Sequence, residues 1–79
     1  MQNYNNEIKA RIKQIRKDHG YSQAQVVIKD GWSLEVYKKI ERDIEKGGIK
    51  ITAEHLRDLC EVYKLDSADY FLFGKEKSP

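Results

Sequence analysis

The chain has a single cysteine, Cys60, which leaves no internal disulfide and no multi-thiolate metal site. Its only proline, Pro79, is the last residue, so no proline interrupts a helix. No apolar run approaches the roughly 18 residues of a membrane span; the longest, Tyr70-Phe71-Leu72-Phe73, is one helical turn. Strand-like alternation of apolar and polar residues is missing, and Lys50-Ile51-Thr52 is too short to carry a sheet. Met1 to Glu7 is polar and Asn-rich, without the basic-then-apolar order of a secretory signal, so a cytoplasmic location is expected. There is no nucleophile beside a base, no Gly-rich phosphate loop and no pair of catalytic carboxylates, so enzymatic activity and cofactors are not expected. His55 and Cys60, five apart, point about 140° away from each other on a helix and do not converge with His19 on a metal.

What is present suits a small helical domain. At 79 residues the chain is near the lower limit for a core that holds unaided, and 39% of it is hydrophobic. The net charge of +2 is unevenly spread. Up to Gly20, Lys9, Arg11, Lys13, Arg16 and Lys17 outnumber Glu7 and Asp18, and the remainder is close to neutral. A basic first segment on a near-neutral body suits a modest phosphate-binding face, although charge alone more often marks a solvated helix surface.

Five helices can be read from spacing and caps. Ile8, Ile12 and Ile15 form one apolar stripe, starting near Asn5 and stopped by Gly20. Ser22 with Gln25 three residues on is a capping box for a short helix that buries Val26 and Val27 and stops at Gly31. Ser33 caps a third helix, with Val36, Tyr37, Ile40 and Ile44 as its inner stripe. Gly47-Gly48 is the next strong breaker, so this helix is expected to run over about residues 33–46. Thr52 caps a fourth, whose inner face is Leu56, Leu59, Cys60 and Tyr63; Asp66 or Ser67 caps a last one ending at Gly74. The expected fold is all-α, a compact five-helix bundle over residues 1–74 with a disordered tail at 75–79.

The second and third helices, each with its own serine cap, are joined by a tight glycine-containing turn. Such a pair can hold its second helix out for a DNA major groove, and it also occurs in plain helical bundles. The residues narrow the choice. Arg16 followed by Gly20, Ser22-Gln23 at the second helix, Gly31 in the turn, Ser33 at the third and Ile40-Glu41-Arg42 near its end resemble the XRE/Cro-type helix-turn-helix domains of lambda-like phage repressors. Leu56, Leu59 and Leu65-Asp66-Ser67 are similar to the family's C-terminal half, so the resemblance covers about Ile8 to Phe73. Asp30, Trp32 and Asp43 depart from the family pattern, and about four extra residues precede Thr52.

The resemblance implies a sequence-specific DNA-binding transcriptional regulator, with a repressor as the expected form, reading double-stranded DNA as a homodimer. Off the apolar stripe of the third helix lie Leu34, Glu35, Lys38 and Lys39, the candidates for base edges. Lys39 has donors for guanine O6 and N7, Glu35 an acceptor for cytosine N4, and Leu34 an apolar surface for a thymine methyl. The resemblance gives Gln23 a phosphate contact and a bracing role, and gives Arg16 and Glu41 an interior ion pair. Ser33, Arg42, Arg11, Lys13 and Lys17 complete the candidate phosphate contacts. The competing function is a protein-interaction module, such as the antitoxin of a toxin–antitoxin pair, binding through Tyr70, Phe71 and Phe73.

Overall fold

The computed structural model describes residues 4–74, so the tail expected at 75–79 lies outside the described residues. Among those described, five α-helices and no strand are found: α1 Tyr4–Asp18, α2 Gln23–Asp30, α3 Leu34–Glu41, α4 Ala53–Tyr63 and α5 Asp69–Phe73. None is long and apolar enough to cross a membrane. The expected all-α bundle is the observed fold.

The helix starts follow local chemistry. Ser22 and Gln25 form the reciprocal capping box of α2, the Ser33 hydroxyl accepts from the Val36 amide at α3, and Thr52 with His55 boxes the start of α4. These side chains satisfy amides that have no partner within the helix. Gly31 ends α2 at φ 84°, a left-handed conformation open to glycine without strain. The start of α5 departs from expectation: neither Asp66 nor Ser67 is its N-cap residue, which is Ala68, although the Ser67 hydroxyl accepts from the Asp69 amide.

The core gathers Ile8, Ile12 and Ile15 of α1, Val26 of α2, Tyr37 and Ile40 of α3, Leu56, Leu59 and Tyr63 of α4, and Phe71 of α5. Helix α1 packs on α3 and α5, and α2 on α3 and α4. Trp32, in the α2–α3 turn, stacks on Tyr37 and meets His55 edge-on, with centroids 6.0 and 5.7 Å apart. A large ring in the turn thus joins α3 to α4. Cys60 is half-buried at the margin of this core.

Two expectations about α3 are corrected. The helix ends at Glu41, not near Lys46: Arg42 turns to extended geometry, and Ile44–Lys46 form a separate 3-10 turn in which Ile44 is half-buried. The cause lies outside α3. Lys9 and the Ile49 amide occupy the Lys39 carbonyl, Lys9 also takes that of Ile40, and Asn6 accepts from the Ile44 amide. Tertiary partners thereby replace the bonds of a further helical turn. Val36, expected in the core, is 41% exposed.

Candidate nucleic-acid interface

Helix α3 has two distinct sides. Tyr37, Ile40 and Glu41 are buried, while Leu34, Glu35, Lys38 and Lys39 are all exposed along with Val36. The candidate base-edge residues therefore share an outward side of one rigid element. None of Glu35, Lys38 and Lys39 is in an ion pair among the described residues.

The inner side is fastened through one carboxylate. Glu41 accepts from Arg16 Nε at 2.7 Å and Nη2 at 3.2 Å, from Gln23 Nε2 at 3.1 Å and from the Tyr37 hydroxyl at 2.5 Å. Helices α1, α2 and α3 thus meet on it. The Glu41 bond makes the Arg16 guanidinium harder to deprotonate than usual. Burial, with the bond to Glu41 added, pushes the Tyr37 phenol well above its ordinary range. The Arg16 and Glu41 side chains are only 12% and 2% exposed, so their desolvation must be offset by this set of bonds. Gln23 braces α3 directly, as its amide nitrogen donates to Glu41.

Lys9 appears in the sequence only as one cation of a basic segment, yet it is wholly buried. Its Nζ donates to the carbonyls of Lys39 at 3.0 Å and Ile40 at 2.8 Å. Burial lowers its pKa to about 8, with Asp43 pulling the other way. The available signal was its position beside Ile8 at the edge of the Ile8/Ile12/Ile15 stripe.

The phosphate candidates divide. Lys13, Lys17, Ser33 and Arg42 are exposed, and the Ser33 hydroxyl is engaged in capping α3. Lys13 and Lys17 continue at i+4 spacing the side of α1 on which Lys9 reaches α3. Arg11 is overturned as a free phosphate contact. Its Nη1 donates to the carbonyls of Phe71 at 2.9 Å and Leu72 at 3.0 Å, and Nη2 lies 3.6 Å from Glu7. The chemistry is that of a cation satisfying the end of a helix, here α5.

The aromatic group of α5 also divides. Phe71 is fully buried, which removes it as a partner contact; Tyr70 is half-buried and Phe73 is 64% exposed. No group of three or more His, Cys, Asp and Glu among the described residues is placed to hold a metal ion. Comparison with protein-family models, with curated proteins and with solved structures found no match.

Proposed function

We propose that this chain is a sequence-specific DNA-binding transcriptional regulator of the helix-turn-helix type, acting as a homodimeric repressor in the cytoplasm. In this role α3 enters the major groove, and Glu35 and Lys39 meet base edges with Leu34 and Lys38 beside them. Lys13, Lys17, Ser33 and Arg42 lie along the phosphates, while Arg16, Gln23 and Glu41 hold α3 at its angle. A two-fold dimer supplies the second half-site that so small a reading surface needs.

The observation that carries this reading is the two-sidedness of α3: three helices converge on buried Glu41, and the opposite side presents exposed lysines. The major groove is about 12 Å wide and admits such a helix. Binding to a random duplex pool by gel shift, repeated over a salt series, tests it. Retardation that weakens steeply with salt is expected, since each neutralised phosphate releases counterion. No retardation at low salt would overturn the reading and favour the protein-interaction module, for which exposed Phe73 is the available anchor.

A further inference from the structure

An open cleft of about 630 Å³ lies between the end of α1 and the α4–α5 connection, on residues that the DNA reading leaves unused. Part of its lining is aromatic. The His19 and Tyr63 rings have centroids 4.9 Å apart, and Tyr21 packs on both at 5.7 and 6.1 Å. Half-buried Tyr70 and Leu65 add further ring and apolar surface. This wall is held in place before any ligand arrives. Arg16 Nη1 donates to the Tyr21 carbonyl at 2.8 Å, and His19 Nδ1 donates to the Ile15 carbonyl at 3.0 Å. A carbonyl only accepts, so in the neutral imidazole the proton sits on Nδ1 and Nε2 is an acceptor.

Charge narrows what can enter. The cleft carries the carboxylates of Asp18, Asp66 and Asp69 against one ammonium, that of Lys64. None of the four is in an ion pair among the described residues, and Asp18 accepts only from the neutral Gln14 amide, at 2.8 Å. A cation there relieves the repulsion among like charges, and an anion adds to it. The same aromatic cluster already holds a cation elsewhere, since Lys29 Nζ stands 5.1 Å from the Tyr21 ring centroid. A bare metal ion would leave the rings without a partner, and an uncharged apolar ligand would desolvate the carboxylates without pairing them. An organic cation with a ring satisfies both walls, and the volume falls in the range of small-molecule sites.

We propose that this cleft is a binding site for a small aromatic amine, whose ring lies against His19, Tyr63 and Tyr70 and whose ammonium is held by Asp66 and Asp69. The three N–H donors of a primary ammonium match carboxylate oxygens and the His19 Nε2 acceptor. The site does not depend on the placement of α3 in DNA.

The test is a titration of the full chain, without DNA, followed by the amide signals of an amide-proton–nitrogen NMR spectrum. Tryptamine is the probe. Saturable shifts are expected at the end of α1 and along the α4–α5 connection. N-acetyltryptamine, which keeps the indole and loses the charge, is expected to bind at least about ten-fold more weakly, the worth of a charge-assisted hydrogen bond. Butylamine, which keeps the charge and loses the ring, should also bind more weakly. Because these comparisons alter only the ligand, they do not depend on a variant folding. In Asp66→Asn/Asp69→Asn, tryptamine affinity is expected to fall about five-fold while that of N-acetyltryptamine is unchanged. No saturable shift up to about 10 mM tryptamine overturns the inference, since so small a ligand in a matching site saturates below that. Saturable shifts confined to other parts of the chain overturn it as well. Equal affinities for tryptamine and its acetylated form, or for tryptamine and butylamine, overturn it by removing the charge or the ring from recognition. A folded double variant that binds tryptamine as the parent does overturns the assignment of the ammonium. The gel shift decides the DNA reading separately, so either can fail alone.

Discussion

The ammonium nitrogen of Lys9 on α1 lies 2.8 Å from the carbonyl oxygen of Ile40, in the last turn of α3. Carbonyls at a helix end lack partners within the helix, and a cation there also meets the favourable end of the helix dipole. Desolvation nevertheless prevails and lowers the Lys9 pKa to about 8.

This makes stability depend on pH in a defined direction. The folded chain gives up the Lys9 proton near pH 8, the unfolded chain near 10.5. Between those values the unfolded state binds more protons, so folding stability rises with pH. Buried Tyr37 and Tyr63, both raised by burial, act in the opposite sense once free tyrosine ionises near 10, which closes the usable window there. Urea unfolding at several pH values from 8 to 10 should show a rising contribution that is missing in Lys9→Met. Identical pH slopes in the two proteins would refute it.

Glu41→Gln should be among the most damaging conservative changes in the chain. The substitution keeps the shape but leaves the Arg16 guanidinium, 12% exposed, without its counter-charge. Breaking such a pair costs about 3–5 kcal/mol. A variant that melts within a degree or two of the parent would show that the pair is not the fastening of α3.

Asp30 presents the opposite case, a carboxylate whose removal should help. Its Oδ2 is buried without a hydrogen-bond partner. Burial first, then Asp58 and Glu61, raise its pKa from 3.8 to about 6. The folded state therefore holds a proton that the unfolded state has lost, and stability falls as pH climbs through that interval. Asp30→Asn should melt higher than the parent at pH 7 and lose that part of the acid-side dependence. Equal melting temperatures at pH 7, with parallel profiles from 4 to 6, would count against it.

The parts of the fold legible in the sequence are those decided within a few residues. Ser22, Ser33 and Thr52 announce helix starts, and Gly20, Gly31 and Gly74 the ends, because cap chemistry is local. The end of α3 is not local. Asn6 and Lys9, thirty or more residues away, take up its last turn and the chain beyond, and Ile44 is drawn out of the stripe that Ile40 begins. Val36 fails for a different reason: it lies on a shoulder of α3, where periodicity alone does not assign a side. Arg11 was legible as a cation but not as the partner of α5, since the contact spans sixty residues.

Gly48 marks the same reshaped connection. A Cβ there would stand 1.7 Å from the Arg42 carbonyl oxygen and 2.6 Å from its carbon, both backbone atoms that cannot swing aside. Gly48→Ala should therefore force the 3-10 turn open and lower the melting temperature well beyond the usual surface substitution, which changes stability by about 0.5 kcal/mol or less. A surface-like effect would mean that the chain crosses Arg42 less closely.

The cations separate into those that hold the fold and those that would hold DNA, and one set of measurements distinguishes them. If α3 lies in the major groove as proposed, with the exposed Lys39 amine towards the base edges, Lys39→Ala should cost about 1–3 kcal/mol on a selected duplex and relax the sequence preference at one position. Lys13→Ala and Lys17→Ala should weaken all duplexes alike and each reduce the salt slope by about one, as phosphate contacts do. Gln23→Ala should also weaken all duplexes alike, since it loosens the Glu41 fastening and through it the angle of α3. Arg11→Ala should lower stability while leaving the salt slope unchanged, because its guanidinium is engaged at the end of α5. Circular dichroism on each variant first removes any that do not fold. Equal, sequence-independent losses for Lys39→Ala and Lys13→Ala would reduce Lys39 to a phosphate contact. A loss of salt slope in folded Arg11→Ala would mean that Arg11 leaves α5 for the DNA backbone on binding.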